Sequence, residues 1–451
     1  MKTVLYNGEY DTDHQERMRA VATQNEAARG WLTRFGVIWL GQAASLIGSA
    51  LAHFALVWWV TETTGSATAL ATASLVAMLP GILLGPFAGA LVDRWNRRVV
   101  MVVADGVIAL ASAWLAWLLS RGIMDMWHVY VALMVRSLAG SFHMPAMQAS
   151  TALMVPKAHL TRVSGLNQAI RGAVDLAAPP LGALLLSLMP LHNIMLVDVG
   201  TAALAILPLL VMAVPQPERT AVERDTNPAR ALWRDVRFGL AYVMAWRALA
   251  ALILLATCLN LLFSPAFALL PLLVTQHLGG GPPELAAIQS AFGAGVIVGG
   301  LLLGAWGGFR KRLRTVLVGV VGTGLGGMTL AAMPPSLLAL GLGGMLVAGV
   351  MNSMCNGAIQ ALMQERVDPA VQGRVLTVMG SLARAMSPIG LAIVGPVADL
   401  VGVRTVMLAG TGGAALLGLS AFGWRVLRGL ETEPGAHMPV PLSEGATIPD
   451  P

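Results

Sequence analysis

The chain has 451 residues, 56% of them hydrophobic and 12% charged, with a formal net charge of +6. A water-soluble chain of this size cannot bury so large an apolar fraction even when divided into several domains, so the composition excludes a soluble fold and makes lipid the solvent. The apolar residues also fall in long uncharged runs rather than short alternating segments, which excludes a porin-like barrel and leaves an all-α membrane protein.

Runs of about 20 or more apolar residues, enough to cross a roughly 30 Å hydrocarbon layer as a helix, recur twelve times. In the first half they lie at 35–60, 67–92, 99–119, 127–153, 163–188 and 194–214; in the second, at 248–274, 285–306, 313–333, 337–363, 375–400 and 405–424. Pro145, Pro179, Pro180, Pro265 and Pro388 interrupt several of them, which membrane bundles tolerate where neighbouring helices satisfy the freed carbonyls. Residues 1–34 are polar and mixed in charge, too long and hydrophilic for the leading region of a cleavable signal, and read as a retained N-terminal tail. A polar stretch at 215–247 reads as a linker between six-helix bundles at 35–214 and 248–426, and 427–451 as a C-terminal tail.

The basic residues orient this array. With the N-terminus in the cytosol, 24 of the 29 Lys and Arg side chains fall on the cytosolic side, Arg121 and Arg404 fall outside, and Arg136, Arg171 and Arg384 lie within spans. The asymmetry predicts cytosolic termini and a cytosolic linker, and leaves no basic patch to serve nucleic acid. Cys258 and Cys355 both sit in apolar runs, where a thiol is a small hydrophobe.

The halves echo each other. Gln148-Ala149 is followed by Pro156 and Arg162-Val163, and Gln360-Ala361 by Pro369 and Arg374-Val375, with 14 positions from Gln to Arg in both. Gly89-Ala90 through Arg97-Arg98 has a weaker counterpart in Gly304-Ala305 through Arg310-Lys311-Arg312. Parallel six-helix repeats predict a cavity at their interface that opens to alternate sides.

The stretch GALVDRWNRR holds Gly89, Leu91, Asp93, Arg94, Arg97 and Arg98 in the spacing G-x-L-x-D-R-x-x-R-R, with Asn96 in the place of the usual Gly. It resembles the signature loop of the major facilitator superfamily. TETTGSATAL, Arg136-x-x-x-Gly140, MPAMQASTALMVPKAHLTRVSGLNQ and Ala178-Pro179-Pro180-Leu181-Gly182 look like the drug/proton antiporter branch that includes macrolide and enterobactin exporters. Pro179 and Gly182 fit the antiporter motif G-P-x-x-G, with Ala178 replacing the first Gly. The resemblance covers about 35–425. It implies the major facilitator fold, a bacterial inner-membrane location, no cofactor, and a small-molecule substrate and protons as partners; it also implies that the signature loop works as a latch between states. Relatives often carry an acid near Gly48-Ser49, and Ser49 is uncharged here.

An ionisable side chain in a span costs roughly 2.5–3.5 kcal/mol on insertion scales, so each is a functional candidate by default. Asp175 lies near the middle of the fifth run, one turn from Arg171 on the same face. It is the first candidate for the coupling proton, with His53 and Asp105 behind it; the bland alternative is a permanent Arg171–Asp175 ion pair. The family places the third and sixth helices at the outside of the bundle, which favours a structural role for Asp105 and Asp198 over a functional one. His53 reads equally as a packing residue.

Polar residues form stripes: Gln42, Ser45, Ser49 and His53; Ser164, Asn167, Gln168, Arg171 and Asp175; Asn352, Asn356 and Gln360. Lipid satisfies none of these groups, so each stripe faces either a watery cavity or another helix. Arg136, Arg171 and Arg384 against Asp175 would give the cavity a positive sign that suits neutral or anionic substrates. No His-x-x-x-His pair, Gly-x-Ser-x-Gly elbow or Gly-Lys-Ser/Thr phosphate loop is present. The sequence therefore points away from an enzyme or an ATP-driven pump and toward gradient-driven export of a small organic molecule, with siderophore export or a non-transporting membrane sensor as alternatives.

Overall fold

The computed structural model describes residues 4–92, 94–216, 228–368 and 371–432, and among these there is no strand. The first half comprises α1 (Val4–Thr64), α2 (Ala67–Val92), α3 (Arg97–Arg121), α4 (Met126–Met154), α5 (Leu160–Leu188) and α6 (Leu191–Val211). After α7 (Pro228–Ala245) the second half comprises α8 (Arg247–Ala268), α9 (Leu270–Gln276), α10 (Pro282–Trp306), α11 (Arg312–Ala332), α12 (Leu338–Arg366), α13 (Gln372–Arg384), α14 (Ser387–Val401) and α15 (Val403–Ala421), followed by the short α16 (Gly429–Thr432).

Among the described residues, eleven crossings are long and apolar enough to span a bilayer on those grounds alone. The remaining one of the twelve, α4, has 29 residues, or about 43 Å at 1.5 Å per residue. His128, Arg136 and His143 dilute its apolar character. Two crossings are broken where proline re-enters the helix. Pro271 opens α9 after Leu269, and Pro388 opens α14 after the break at 385–386. Proline suits a first turn because its missing N–H has no partner to lose there. The Thr257 hydroxyl donates to the Leu382 carbonyl at 3.1 Å, occupying an acceptor at the α13 end of the break.

Part of the segment read as a linker is the helix α7. Its Tyr242 and Val243, with Trp246 after it, are buried with Leu249, Val316, Met363 and Val375 in a core of the second half. Arg374 of α13 stands 5.9 Å over the Phe238 ring. Burial, reinforced by Asp368, pushes the Tyr242 phenol above its usual range. The linker helix thus packs mainly on the C-terminal half.

Small residues set the closest helix contacts. A Cβ on Gly295 would fall 2.1 Å from the Leu346 carbonyl oxygen, and one on Gly349 would fall 2.1 Å from that of Phe292, so α10 and α12 meet backbone to backbone. The halves face each other through α2 against α14 and α5 against α10. At the helix ends remote from α7, Phe54, Leu70, Leu115 and Ile194 of the first half share one core with Leu272, Leu273, Ile288 and Met407 of the second. At the α7 end the cores separate: Phe35, Ile38, Met101 and Leu209 cluster in one half, and Leu249, Val316 and Met363 in the other. The two halves share one apolar core at one end and keep separate cores at the other, where α2 still touches α7.

Candidate functional site

Four helices of the first half converge on Asp198, whose relative exposure is 0%. Its Oδ1 accepts from the Ser49 hydroxyl at 2.9 Å. Its Oδ2 accepts from Ser112 Oγ at 2.6 Å and pairs with Arg136 Nη1 at 2.5 Å, and Arg136 also donates to Ser112. A buried ion pair is stable when further donors occupy the remaining lone pairs, as the two serines do here. Asp105 is buried as well. Its Oδ2 accepts from Gln42 Nε2 at 2.9 Å, and His143 Nε2 lies 3.3 Å from its Oδ1. Trp39 Nε1 donates to Asn167 Oδ1 at 2.6 Å, tying α1 to α5. Gln42, Ser49, Asn167 and Arg136 are therefore all engaged with neighbouring helices. His53, one turn beyond Ser49, is exposed and within electrostatic reach of Arg136.

On α5, Gln168, Arg171 and Asp175 are exposed. Arg171 is near enough to act electrostatically on Asp175, yet its hydrogen-bonding contact is with the Met144 sulfur at 3.7 Å. The permanent ion pair that the spacing allows is not formed. Farther along α5, Pro179 is buried, and a Cβ on Gly182 would come 2.7 Å from Phe54 Cδ1, so this glycine seats an α1 ring against α5.

The second half holds an uncharged pocket. Helices α8, α10, α11 and α12 enclose a cavity of about 360 Å³ lined by Asn260, Phe263, Phe267, Phe292, Asn352 and Asn356, among others. Arg384 is exposed at the C-terminal end of α13, where a cation complements the helix dipole.

Both ends of α2 are fastened. Beyond its C-terminus, Arg97 is buried and donates from Nη1 to the Ala149 carbonyl at 3.3 Å. Arg98 donates to the Leu209 and Leu210 carbonyls at the end of α6. These arginines fix the signature loop to α4 and α6. Gly89 lies in the last turns of α2 and Arg94 is exposed, while Asp93 lies outside the described residues. At the N-terminus of α2 the partner is Asp399 of α14. Its carboxylate accepts from Ala67 N at 2.7 Å, Thr68 N at 3.0 Å, Thr68 Oγ1 at 2.6 Å and Ser66 Oγ at 3.1 Å. Gln276 Nε2 adds a bond to the Gly65 carbonyl at 2.8 Å. One turn before Asp399, a Cβ on Gly395 would stand 2.7 Å from Thr68 Cα, so only glycine admits this approach. Sequence reasoning missed this clasp; its signal was a Ser and Thr pair at a helix start and an acid at the end of a distant span.

Residues 38–391 match the family model described as Major Facilitator Superfamily. Macrolide efflux protein A of Streptococcus pyogenes is 32% identical over 387 residues, covering 86% of this chain and 95% of that protein. Multidrug efflux pump Tap of Mycolicibacterium fortuitum is 27% identical over 383 residues, covering 83% and 91%. Among solved structures, a mutant of the nucleoside transporter NupG superposes with a TM-score of 0.67 at 13% identity, covering 86% of this chain and 99% of that one. The inward open conformation of the xylose transporter XylE from E. coli gives 0.62 at 12% identity, covering 88% and 99%.

Proposed function

The chain belongs to the Major Facilitator Superfamily and is a multi-pass transporter of small molecules rather than an enzyme, and from that premise we propose that it exports an amphipathic organic compound, such as an antibiotic, from the cytosol in exchange for protons. The observation that carries this reading is the distribution of the apolar cores, shared by both halves at one end of the bundle and separate at the other. The end with separate cores is the one with α7 and most of the basic side chains, which the positive-inside rule assigns to the cytosol of a bacterial inner membrane. A transporter in this state loads from the cytosol, and it discharges once the halves rock about the interface of α2 with α14 and α5 with α10. The Asp399 clasp has to release in that step, while the signature loop, through Asp93, latches the opposite state.

Proton exchange is the energy source most consistent with a chain that lacks a phosphate-cradling motif. Asp175 is the foremost coupling group. It is accessible and has a cation one turn away that does not sequester it, so its protonation follows whichever side admits water. His53 and the Asp105–His143 pair stand behind it. The test is a panel of labelled compounds, erythromycin included, offered to everted vesicles from a host stripped of its own efflux pumps. Uptake that a protonophore abolishes supports the reading, and a panel with no gradient-dependent uptake contradicts it.

A further inference from the structure

We propose that the uncharged chamber enclosed by α8, α10, α11 and α12 is a recognition subsite that holds one neutral, ring-bearing limb of the substrate, leaving the charged groups of the first half to coupling. The inference deepens the export reading and rests on it for the class of ligand. The cavity, about 360 Å³, falls within the roughly 300–1,000 Å³ of small-molecule sites. It lies along the second half of α8 and the middle of α12.

The lining explains what such a chamber selects. Phe267 and Phe292 meet edge to face with centroids 5.2 Å apart, and Phe263 stands 6.5 Å from Phe267. Together they offer faces for a ring or an aliphatic edge. Asn260 donates to the Ala256 carbonyl of its own helix at 2.9 Å. Asn356 donates to the Asn352 carbonyl at 2.9 Å and to its side-chain oxygen at 3.2 Å. All these bonds stay within one helix, so the amides do not glue helices together, unlike Gln42 and Asn167 in the first half. An amide carries two N–H donors and an oxygen with two lone pairs. Asn260, Asn352 and Asn356 therefore keep hydrogen-bonding capacity toward the cavity, and Ser264 lines it too. No Lys, Arg, His, Asp or Glu is among the lining residues, so a fixed charge would be desolvated there without a counterion. The limb that fits is uncharged and ring-shaped, with hydroxyl or carbonyl groups on its rim. The remainder of a larger compound stays in the space between the halves.

The probe is labelled erythromycin, whose lactone and neutral sugar supply such a limb, in equilibrium binding to purified full-length protein. Asn260→Ala and Asn356→Ala should each weaken binding about five- to tenfold, and Phe267→Ala by about tenfold or more. A second readout is independent of those substitutions: in protein freed of Cys258 and Cys355 and carrying Ser264→Cys, saturating erythromycin should slow maleimide modification of the thiol introduced at this lining position. If the wild type binds erythromycin, folded amide variants bind it equally well, and the thiol introduced by Ser264→Cys gains no protection, the chamber assignment falls and the export reading stands. Absence of erythromycin binding to the wild type overturns the assignment of this ligand class to the chamber, and the vesicle panel then decides the export reading separately.

Discussion

Replacing Asp198 with Asn leaves an amide that still bonds to Ser49 and Ser112 but removes the charge that faces Arg136 at 2.5 Å. The site has no water to take over, since Asp198 is 0% exposed and the Arg136 side chain 11%. Breaking a buried pair by removing one partner costs about 3–5 kcal/mol, because the other charge stays behind uncompensated. Asp198→Asn belongs at the lower end of that range, with the serine bonds kept. Arg136→Leu belongs at the upper end, stranding a carboxylate held by two hydroxyls. Removing both charges in Arg136→Leu/Asp198→Asn should cost about 2–3 kcal/mol less than the two single effects added, which is the coupling between the sites. Unfolding titrations in mixed detergent micelles measure all four proteins. If Asp198→Asn is as stable as wild type and the double variant shows the sum of the single effects, the pair does not hold the first half together. Arg136 would then return to consideration as a substrate contact.

Asp399→Asn weakens charge-assisted bonds to the start of α2, each kind worth about 1.5–3 kcal/mol, so the outer end should open at least tenfold more often. Spin labels at Ile123→Cys and Ser336→Cys in otherwise cysteine-free protein should then report a longer inter-half distance, and an unchanged distribution counts against the clasp. Gly182→Ala pushes a methyl into the Phe54 ring and should cost about 1–3 kcal/mol in thermal or detergent unfolding, with partial recovery in Gly182→Ala/Phe54→Leu. Asp175→Asn should keep substrate exchange across proteoliposomes while losing accumulation driven by an imposed proton gradient; full accumulation moves attention to His53 and Asp105.

Much of the architecture is written in the apolar runs, because a bilayer demands each crossing be long and continuous. The parts that escaped have physical causes. Helix α7 hides in a polar stretch, since only one face is apolar and its Tyr242 and Trp246 need a core that the second half supplies. The breaks before Leu270 and Ser387 follow from prolines whose effect on a membrane helix depends on the neighbours packed at the bend, such as Thr257, which donates to the Leu382 carbonyl. In the site, periodicity identified polar faces but not what they meet. Gln42, Ser49 and Asn167 turn toward other helices, whereas Asn352 and Asn356 turn toward a cavity. Arg136 finds its acid 62 positions away in α6, a pairing that no local spacing contains. The nearness of Arg171 to Asp175 was legible because the two lie one turn apart on one helix, whereas the turn of Arg171 toward Met144 of α4 was not.

Everted vesicles energised to an acidic interior, with a quenched pH dye as the readout, test the exchange of substrate for protons most directly. Adding erythromycin to vesicles with the wild-type protein should release protons and restore fluorescence in proportion to substrate taken up, and vesicles with Asp175→Asn should show no such recovery. Substrate uptake by the wild type with no accompanying proton release would contradict the account.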